Sequence, residues 1–181
     1  KELDIDLGFL DQTMEAEFRD GHFNGVVNVV NRLFSIVQPD YAFFGRKDIQ
    51  QLAVINRMVE LLNLSVKVVP FETVREDSGL ASSSRNKRLG EKELLESSVI
   101  YKTLSFLKES AYKLTIAEAK LEGRLNFEAS ELDLEYLEIV DSLTLIPVED
   151  WQEGITACIA ANCGSVRLID NIELIPKAVF C

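Results

Sequence analysis

Two short apolar runs, residues 41–44 and 66–69, flank a stretch whose apolar residues recur with a helical period. This arrangement narrows the available folds more than any other feature of the chain. Strands joined through a helix by short links pair in parallel, and parallel strands belong to open α/β sheets with right-handed crossovers. A second helical pattern precedes the first run. Val26, Val29, Val30, Leu33, Phe34 and Val37 recur at the three- and four-residue spacing of a helix face, and Pro39 stops the pattern. The helix between the runs is expected from about Lys47 to Leu62, with Ile49, Leu52, Ile55, Val59 and Leu62 on its apolar side. The unbroken apolar character of residues 41–44 predicts a strand covered on both faces, and Pro70 should close the second strand. Ahead of them, Leu7, Phe9 and Leu10 are the core candidates of an acidic segment. Two strands do not complete such a sheet, so further strands are expected before Lys1.

The pattern breaks between residues 72 and 90, where small polar residues mix with Arg75, Arg85, Lys87 and Arg88. The class then changes. A helix of about twenty residues is expected from Glu91, with Ile100, Leu104, Leu107 and Ala111 inward. Thr115-Ile116-Ala117-Glu118 is a capping box opening another helix. Strand-like runs at residues 134–140, 158–161 and 166–169 predict an antiparallel sheet. The expected division is residues 1–72 as part of an α/β nucleotide-binding domain, 73–90 as hinge and phosphate loop, and 91–181 as a small α+β domain.

Composition bounds the partners. The chain has 181 residues, 47% of them hydrophobic and 27% charged, and a formal net charge of −11. An acidic surface disfavours nucleic acid and anionic lipid, so any phosphate site must be a local basic pocket. Cys158, Cys163 and Cys181 form no Cys-x-x-Cys pair, and an odd number argues against a disulfide framework or zinc ribbon. They are expected to be reduced thiols in a cytoplasmic protein, Cys158 and Cys163 in or beside a strand. No apolar run has the length of a membrane span. A single histidine, His22, excludes a multi-histidine metal centre within the chain.

Two loops carry residues suited to chemistry. Gly45-Arg46-Lys47-Asp48 follows a strand and opens a helix, where free N–H groups attract anions. Gly45 admits a ligand close to the backbone, Lys47 suits a phosphate, and Asp48 could accept from a ribose hydroxyl or hold a metal. The same residues also fit a solvated loop in which Asp48 caps the helix. Ser82-Ser83-Ser84-Arg85-Asn86 can present N–H groups and hydroxyls to an anion, with Arg85 forking onto phosphate oxygens. It also fits a flexible serine linker. His22 stands at a helix start, as a base, a substrate contact or a packing residue.

Taken together the loops are more specific. Phe43-Phe44-Gly45-Arg46-Lys47-Asp48-Ile49-Gln50-Gln51-Leu52, then Val74-Arg75-Glu76 and Gly79-Leu80-Ala81-Ser82-Ser83-Ser84-Arg85-Asn86, closely resemble the pantothenate synthetase (pantoate–β-alanine ligase) family. Gly21-His22-Phe23, Gln38-Pro39-Asp40 and Arg167-Leu168-Ile169-Asp170-Asn171 extend the resemblance over essentially the whole chain. The resemblance implies a Rossmann-like nucleotidyltransferase fold of the class I synthetase type, followed by a small α+β domain. It implies a homodimer that condenses pantoate with β-alanine, using ATP with Mg²⁺, through a pantoyl-adenylate. By position, Gly45, Arg46, Lys47 and Asp48 match its first ATP-binding loop, with Lys47 on the phosphates. Val74 matches a backbone contact to adenine. Ser82, Ser83, Ser84 and Arg85 match a loop that closes on the phosphates. Gln51, Val29, Val30 and His22 match the pantoate side.

The chain departs from the family pattern in places. Arg46 stands where the family usually has Glu, Ile49 where an aromatic is usual, Ser82 where Met or Leu is usual, and Asp20 where Pro is common. The family's His-x-Gly-His motif, which supplies the principal catalytic histidine, is not in this sequence. The resemblance therefore predicts a C-terminal portion of the enzyme, inactive alone. A related synthetase-like domain acting on another carboxylate, and a non-catalytic dimerisation module, are the alternatives.

Overall fold

The computed structural model describes residues 3–177, so Lys1 and Cys181 lie outside it. The chain divides between Glu72 and Thr73 into two compact units.

The first unit opens with a 3₁₀ turn, Gly8–Asp11, and a short helix α1, Glu15–Phe18. It continues with helix α2, His22–Val37, strand β1, Tyr41–Gly45, helix α3, Ile49–Leu61, and strand β2, Lys67–Phe71. β1 and β2 pair in parallel, Phe43 opposite Val69 and Phe44 opposite Pro70. The proline does not end the strand as expected. The N–H of Lys67 donates to the Asp40 carbonyl at 2.9 Å. Donors turned toward a neighbour recur at every second residue, so Pro70 occupies a position whose missing N–H β1 does not require.

Coverage on both faces of β1 is overturned. Tyr41 and Phe43 are 54% and 63% exposed, while Ala42 and Phe44 are half-buried. Strand side chains alternate between faces. Phe44 meets the Phe34 ring of α2 at 6.4 Å, and Phe43 meets only Phe71 at 5.9 Å among ring contacts of the described residues. The inward faces of both helices also differ from expectation. On α2, Phe23 and Val27 are buried while Val29, Leu33 and Val37 are exposed. On α3 the buried positions are Gln50, Val54, Ile55 and Met58, so of the expected stripe only Ile55 is fully inside. Both helices are apolar around much of their circumference, so periodicity defines the helix without selecting its inner face. Leu7 and Leu10 are buried as expected, and Phe9 is not.

The second unit holds helices α4, Glu91–Glu96, α5, Ser98–Ser110, and α6, Ile116–Glu128. Strands β3, Asp133–Asp141, β4, Ile155–Cys163, and β5, Val166–Ile175, follow. The strands form an antiparallel sheet in the order β3-β4-β5. β4 is central and nearly all of its residues are buried, Cys158 and Cys163 among them as free thiols. α5 and α6 pack against this sheet, with Leu104, Leu107, Phe127, Leu137 and Ile159 fully buried in the shared core. The single expected helix from Glu91 is broken at Ser97, whose hydroxyl donates to the Glu93 carbonyl at 2.7 Å. Such back-bonding competes with helix continuation. Ala111 is the C-cap of α5 and half-buried, not on its buried stripe. The Thr115 box forms as read. Thr115 Oγ1 accepts from the Glu118 N–H, and Glu118 accepts from the Thr115 N–H at 2.8 Å.

Candidate functional site

In the first unit, the carboxyl end of β1 runs through Gly45 into a 3₁₀ turn, Arg46–Asp48, and then into the first turn of α3. Gly45 has an extended backbone, and a Cβ added to it would meet nothing within 4 Å. Packing within the chain therefore does not require glycine there, and its missing side chain leaves open space at the strand end. Lys47 is half-buried and Asp48 exposed. Asp48 is the N-cap of α3 but makes no side-chain capping bond, so capping does not occupy its carboxylate. Arg46 ion-pairs through Nε with Glu72 at 3.3 Å. Its charge is turned toward the residue just after β2, which is how the chain accommodates a cation at this place.

Gln51, on the first turn of α3, is half-buried. On α2, Val29 is 61% exposed and Val30 half-buried. His22 is the first residue of α2, after Gly21 in the left-handed region at φ 68°. Its ring lies 5.0 Å from the buried Phe23 ring.

In the second unit, residues 74–82 fold back on themselves. The Ser82 N–H donates to the Val74 carbonyl at 2.8 Å, and Arg75 and Ala81 form an antiparallel bridge. The Val74 side chain is exposed. Ser83 then caps a 3₁₀ turn, Ser84–Arg88, its hydroxyl accepting from the Arg85 N–H at 3.2 Å. Ser82, Ser84 and Arg85 are exposed. The Arg85 guanidinium donates to the Arg167 carbonyl on β5 at 3.2 Å, and Asn86 Nδ2 to the Ala81 carbonyl at 3.1 Å. The segment is thus an ordered turn with named anchors, unlike a serine linker.

Among the described residues both thiols, Cys158 and Cys163, are buried. Burial pushes the Cys163 thiol up despite a hydrogen bond with Ser97, so it stays protonated near neutrality. Among the described residues, no group of three or more His, Cys, Asp or Glu side chains is placed to hold a metal ion. No helix among them is long and apolar enough to cross a membrane.

Residues 3–173 match the family model described as pantoate-beta-alanine ligase. The chain belongs to this family. It is 47% identical over 169 residues to the pantothenate synthetase of Azobacteroides pseudotrichonymphae, covering 91% of this chain and 60% of the relative. The pantothenate synthetase of Cytophaga hutchinsonii is 44% identical over 177 residues, covering 94% and 62%. The chain therefore spans about three-fifths of the curated relatives it matches. The crystal structure of pantothenate synthetase from Thermus thermophilus superposes with a TM-score of 0.93 at 42% identity, over 97% of this chain and 64% of that one. A pantoate-beta-alanine ligase from Francisella tularensis, solved in complex with beta-gamma ATP and beta-alanine, has a TM-score of 0.70 at 26% identity over 95% and 57%. The expected fold class is thereby established: a nucleotidyltransferase-like α/β unit with a parallel pair, and a separate antiparallel sheet.

The reading from sequence missed three residues that hold the pantoate-beta-alanine ligase loops in shape. Gln50, 2% exposed, donates to the Leu10 and Thr13 carbonyls and accepts from the Glu15 N–H. Arg75 and Asp170 form a bidentate pair within the second unit. A signal for the pair was present: Asp170 falls on the same alternation as Val166 and Leu168, the inward face of β5, where an acid needs a partner.

Proposed function

We propose that this chain serves the ATP-dependent condensation of pantoate with β-alanine, with release of AMP and pyrophosphate. A pantoate carboxylate oxygen attacks the α-phosphorus of ATP, and pyrophosphate leaves. The amine of β-alanine then attacks the acyl carbon of the pantoyl-adenylate, loses a proton, and AMP departs with the former carboxylate oxygen. The observation that carries this reading is the open end of β1 at Gly45, where Lys47 and an uncapped Asp48 stand at the start of a 13-residue helix. Helix N–H groups and a lysine stabilise charge that develops on phosphate oxygens.

Lys47 contacts the phosphates, Asp48 the ribose, and Gly45 gives the nucleotide access to the backbone. Arg46 flanks them, its charge shared with Glu72. The Val74 backbone meets adenine. Ser82, Ser83, Ser84 and Arg85 supply hydroxyl, N–H and guanidinium donors to the phosphates, and Lys47, Ser83, Ser84 and Arg85 stabilise the transition state. Gln51 holds pantoate, with Val29, Val30 and His22 on the same side. Mg²⁺ arrives with the triphosphate, in keeping with hard oxygen ligation. The enzyme acts as a cytoplasmic homodimer.

Pyrophosphate exchange into ATP, measured on the protein as its gene encodes it, tests the reading. Exchange should require pantoate and fail with other carboxylic acids. Lys47→Ala should lower kcat for exchange about 100- to 1,000-fold while pantoate affinity changes little. Exchange with a different acid, or equal loss of rate and pantoate affinity in the variant, would overturn it.

A further inference from the structure

The residues proposed to meet adenine and phosphate in the second unit, Val74 and Ser82–Arg85, lie at the two ends of one fold-back. The Arg75 side chain ties this fold-back to β5. Its guanidinium donates to both carboxylate oxygens of Asp170, at 2.5 and 3.1 Å, and to the Asn171 carbonyl at 3.1 Å. It also donates to the Gly79 carbonyl at 3.0 Å, so one side chain ties β5 to the tip of the loop. The guanidinium lies 4.5 Å from the centroid of the Tyr101 ring on α5. The Asp170 side chain is 1% exposed and that of Arg75 21%.

The loop is built to admit this arrangement. Gly79 adopts φ +86°, and a Cβ there would come within 2.2 Å of the Tyr101 ring. Only glycine lets the chain turn against the ring that Arg75 stacks on. The Glu76 N–H donates to the Leu80 carbonyl at 2.9 Å, closing the turn. Burying a charge pair is expensive, and apolar packing could hold a loop down at least as well. A bidentate fork adds fixed orientation, which apolar contacts do not supply. Here the oriented object is the short segment whose Val74 carbonyl and Ser82 N–H are bonded to one another at 2.8 Å. The following turn is anchored to the same strand, Arg85 on the Arg167 carbonyl. Arg167 itself donates through Nε and Nη2 to one carboxylate oxygen, Oε2, of Glu135, at 2.8 and 2.7 Å.

We propose that Arg75 and Asp170 are positioning residues for adenylation. Their pair holds the 74–82 fold-back on β5 so that Val74 and Ser82, bonded to one another, and the Ser83–Arg85 turn that follows keep one fixed orientation toward the nucleotide. The inference rests on the adenylation reading above. The guanidinium is committed to Asp170, Asn171 and Gly79, so it acts through the loop and not on the substrate.

The test uses Arg75→Met, Arg75→Lys and Asp170→Asn in the protein as its gene encodes it. Exchange kinetics are measured at a temperature where circular dichroism shows each variant folded. Displacing donors by about an ångström lowers turnover about 10- to 100-fold. Arg75→Met and Asp170→Asn should show that loss in kcat with a raised KM for ATP, and the KM for pantoate should stay within about twofold of wild type. Arg75→Lys, which keeps charge but not the fork, should recover only part of the rate. An active wild type whose variants lose activity only in proportion to unfolded protein, or raise both KM values alike, overturns the inference alone. Full recovery by Arg75→Lys also overturns it, since charge would then suffice. A wild type with no pantoate-dependent exchange overturns the adenylation reading and this inference together.

Discussion

At the scale of single residues, Gln50 shows how one polar side chain can set the phase of a helix. Its amide serves three backbone groups of residues 10–15 from a position that is 2% exposed. Removing it strands the Leu10 carbonyl and the Glu15 N–H in the interior, while the Thr13 carbonyl keeps the Ala16 N–H at 3.0 Å. Gln50→Leu should therefore lower stability by about 2–4 kcal/mol in urea unfolding, since each buried unsatisfied group costs about 1–3 kcal/mol and relaxation recovers part. Gln50→Glu should be less stable still near pH 7.5, because a carboxylate cannot donate to the carbonyls of Leu10 and Thr13. Burial raises the pKa of such a carboxylate, so the Glu variant should regain stability as pH falls toward 5. A Glu variant equal to wild type at both pH values would remove Gln50 from this role. The same residue explains what could not be read in advance. The resemblance directed attention to Gln51, and the expected stripe of α3 ran through Ile49, Leu52 and Val59. Apolar spacing reveals that a helix forms; the bonds of Gln50 to a distant segment decide which side faces in.

At the scale of elements, legibility followed locality. The capping box at Thr115 and the three strands of the second sheet were readable because the residues that define them are close in sequence. The break at Ser97 was not, because a serine within a helical pattern leaves no mark until its hydroxyl turns back on Glu93. The turn leaving β3 offers a test with a definite sign. Burial pushes the Asp141 carboxyl up, but the N–H groups of Thr144 and Leu143, the Thr144 hydroxyl and the charge of Lys177 outweigh it, and the net shift is downward. The bonds to Asp141 Oδ1 run from Thr144 N at 2.8 Å and Leu143 N at 3.0 Å. A depressed folded pKa means that the stabilisation is complete above the ordinary carboxylate value, about 4, and is lost as pH falls through the folded pKa. Asp141→Asn should thus be less stable than wild type at pH 7, with the gap closing below about pH 4. Denaturant midpoints between pH 7 and pH 2.5 check this, and a gap constant across that range would show that the ionised form of Asp141 contributes nothing.

At the scale of the whole molecule, the chain combines a net charge of −11 with a concentrated apolar surface in its first unit. Val29, Leu33, Ile36 and Val37 are exposed on α2, and Tyr41, Phe43 and Phe71 on β1 and β2. The α2 residues share one stripe by helical spacing, and the strand residues lie on the sheet face that alternation turns away from Phe44 and α2. Apolar surface of this kind marks interaction sites, whereas scattered exposed leucines do not. This surface accounts for the misread faces of α2 and β1: residues written as core are apolar without being inside. The proposed homodimer gives it an occupant. At tens of micromolar, residues 1–181 should self-associate in sedimentation velocity, and Leu33→Lys with Val37→Glu should shift the distribution toward monomer. A control separates this surface from apolar exposure in general. Leu121 and Leu125 are 58% and 56% exposed on α6. Leu121→Lys with Leu125→Glu should leave association unchanged, though it also adds a charge of each sign. Salt supplies a second sign. Like-charged chains repel, and raising ionic strength from about 0.05 to 0.5 M shortens that repulsion to a few ångströms while leaving apolar burial intact. Association should therefore strengthen with salt; weakening would mean that charge pairs, not the α2 stripe, hold the copies together.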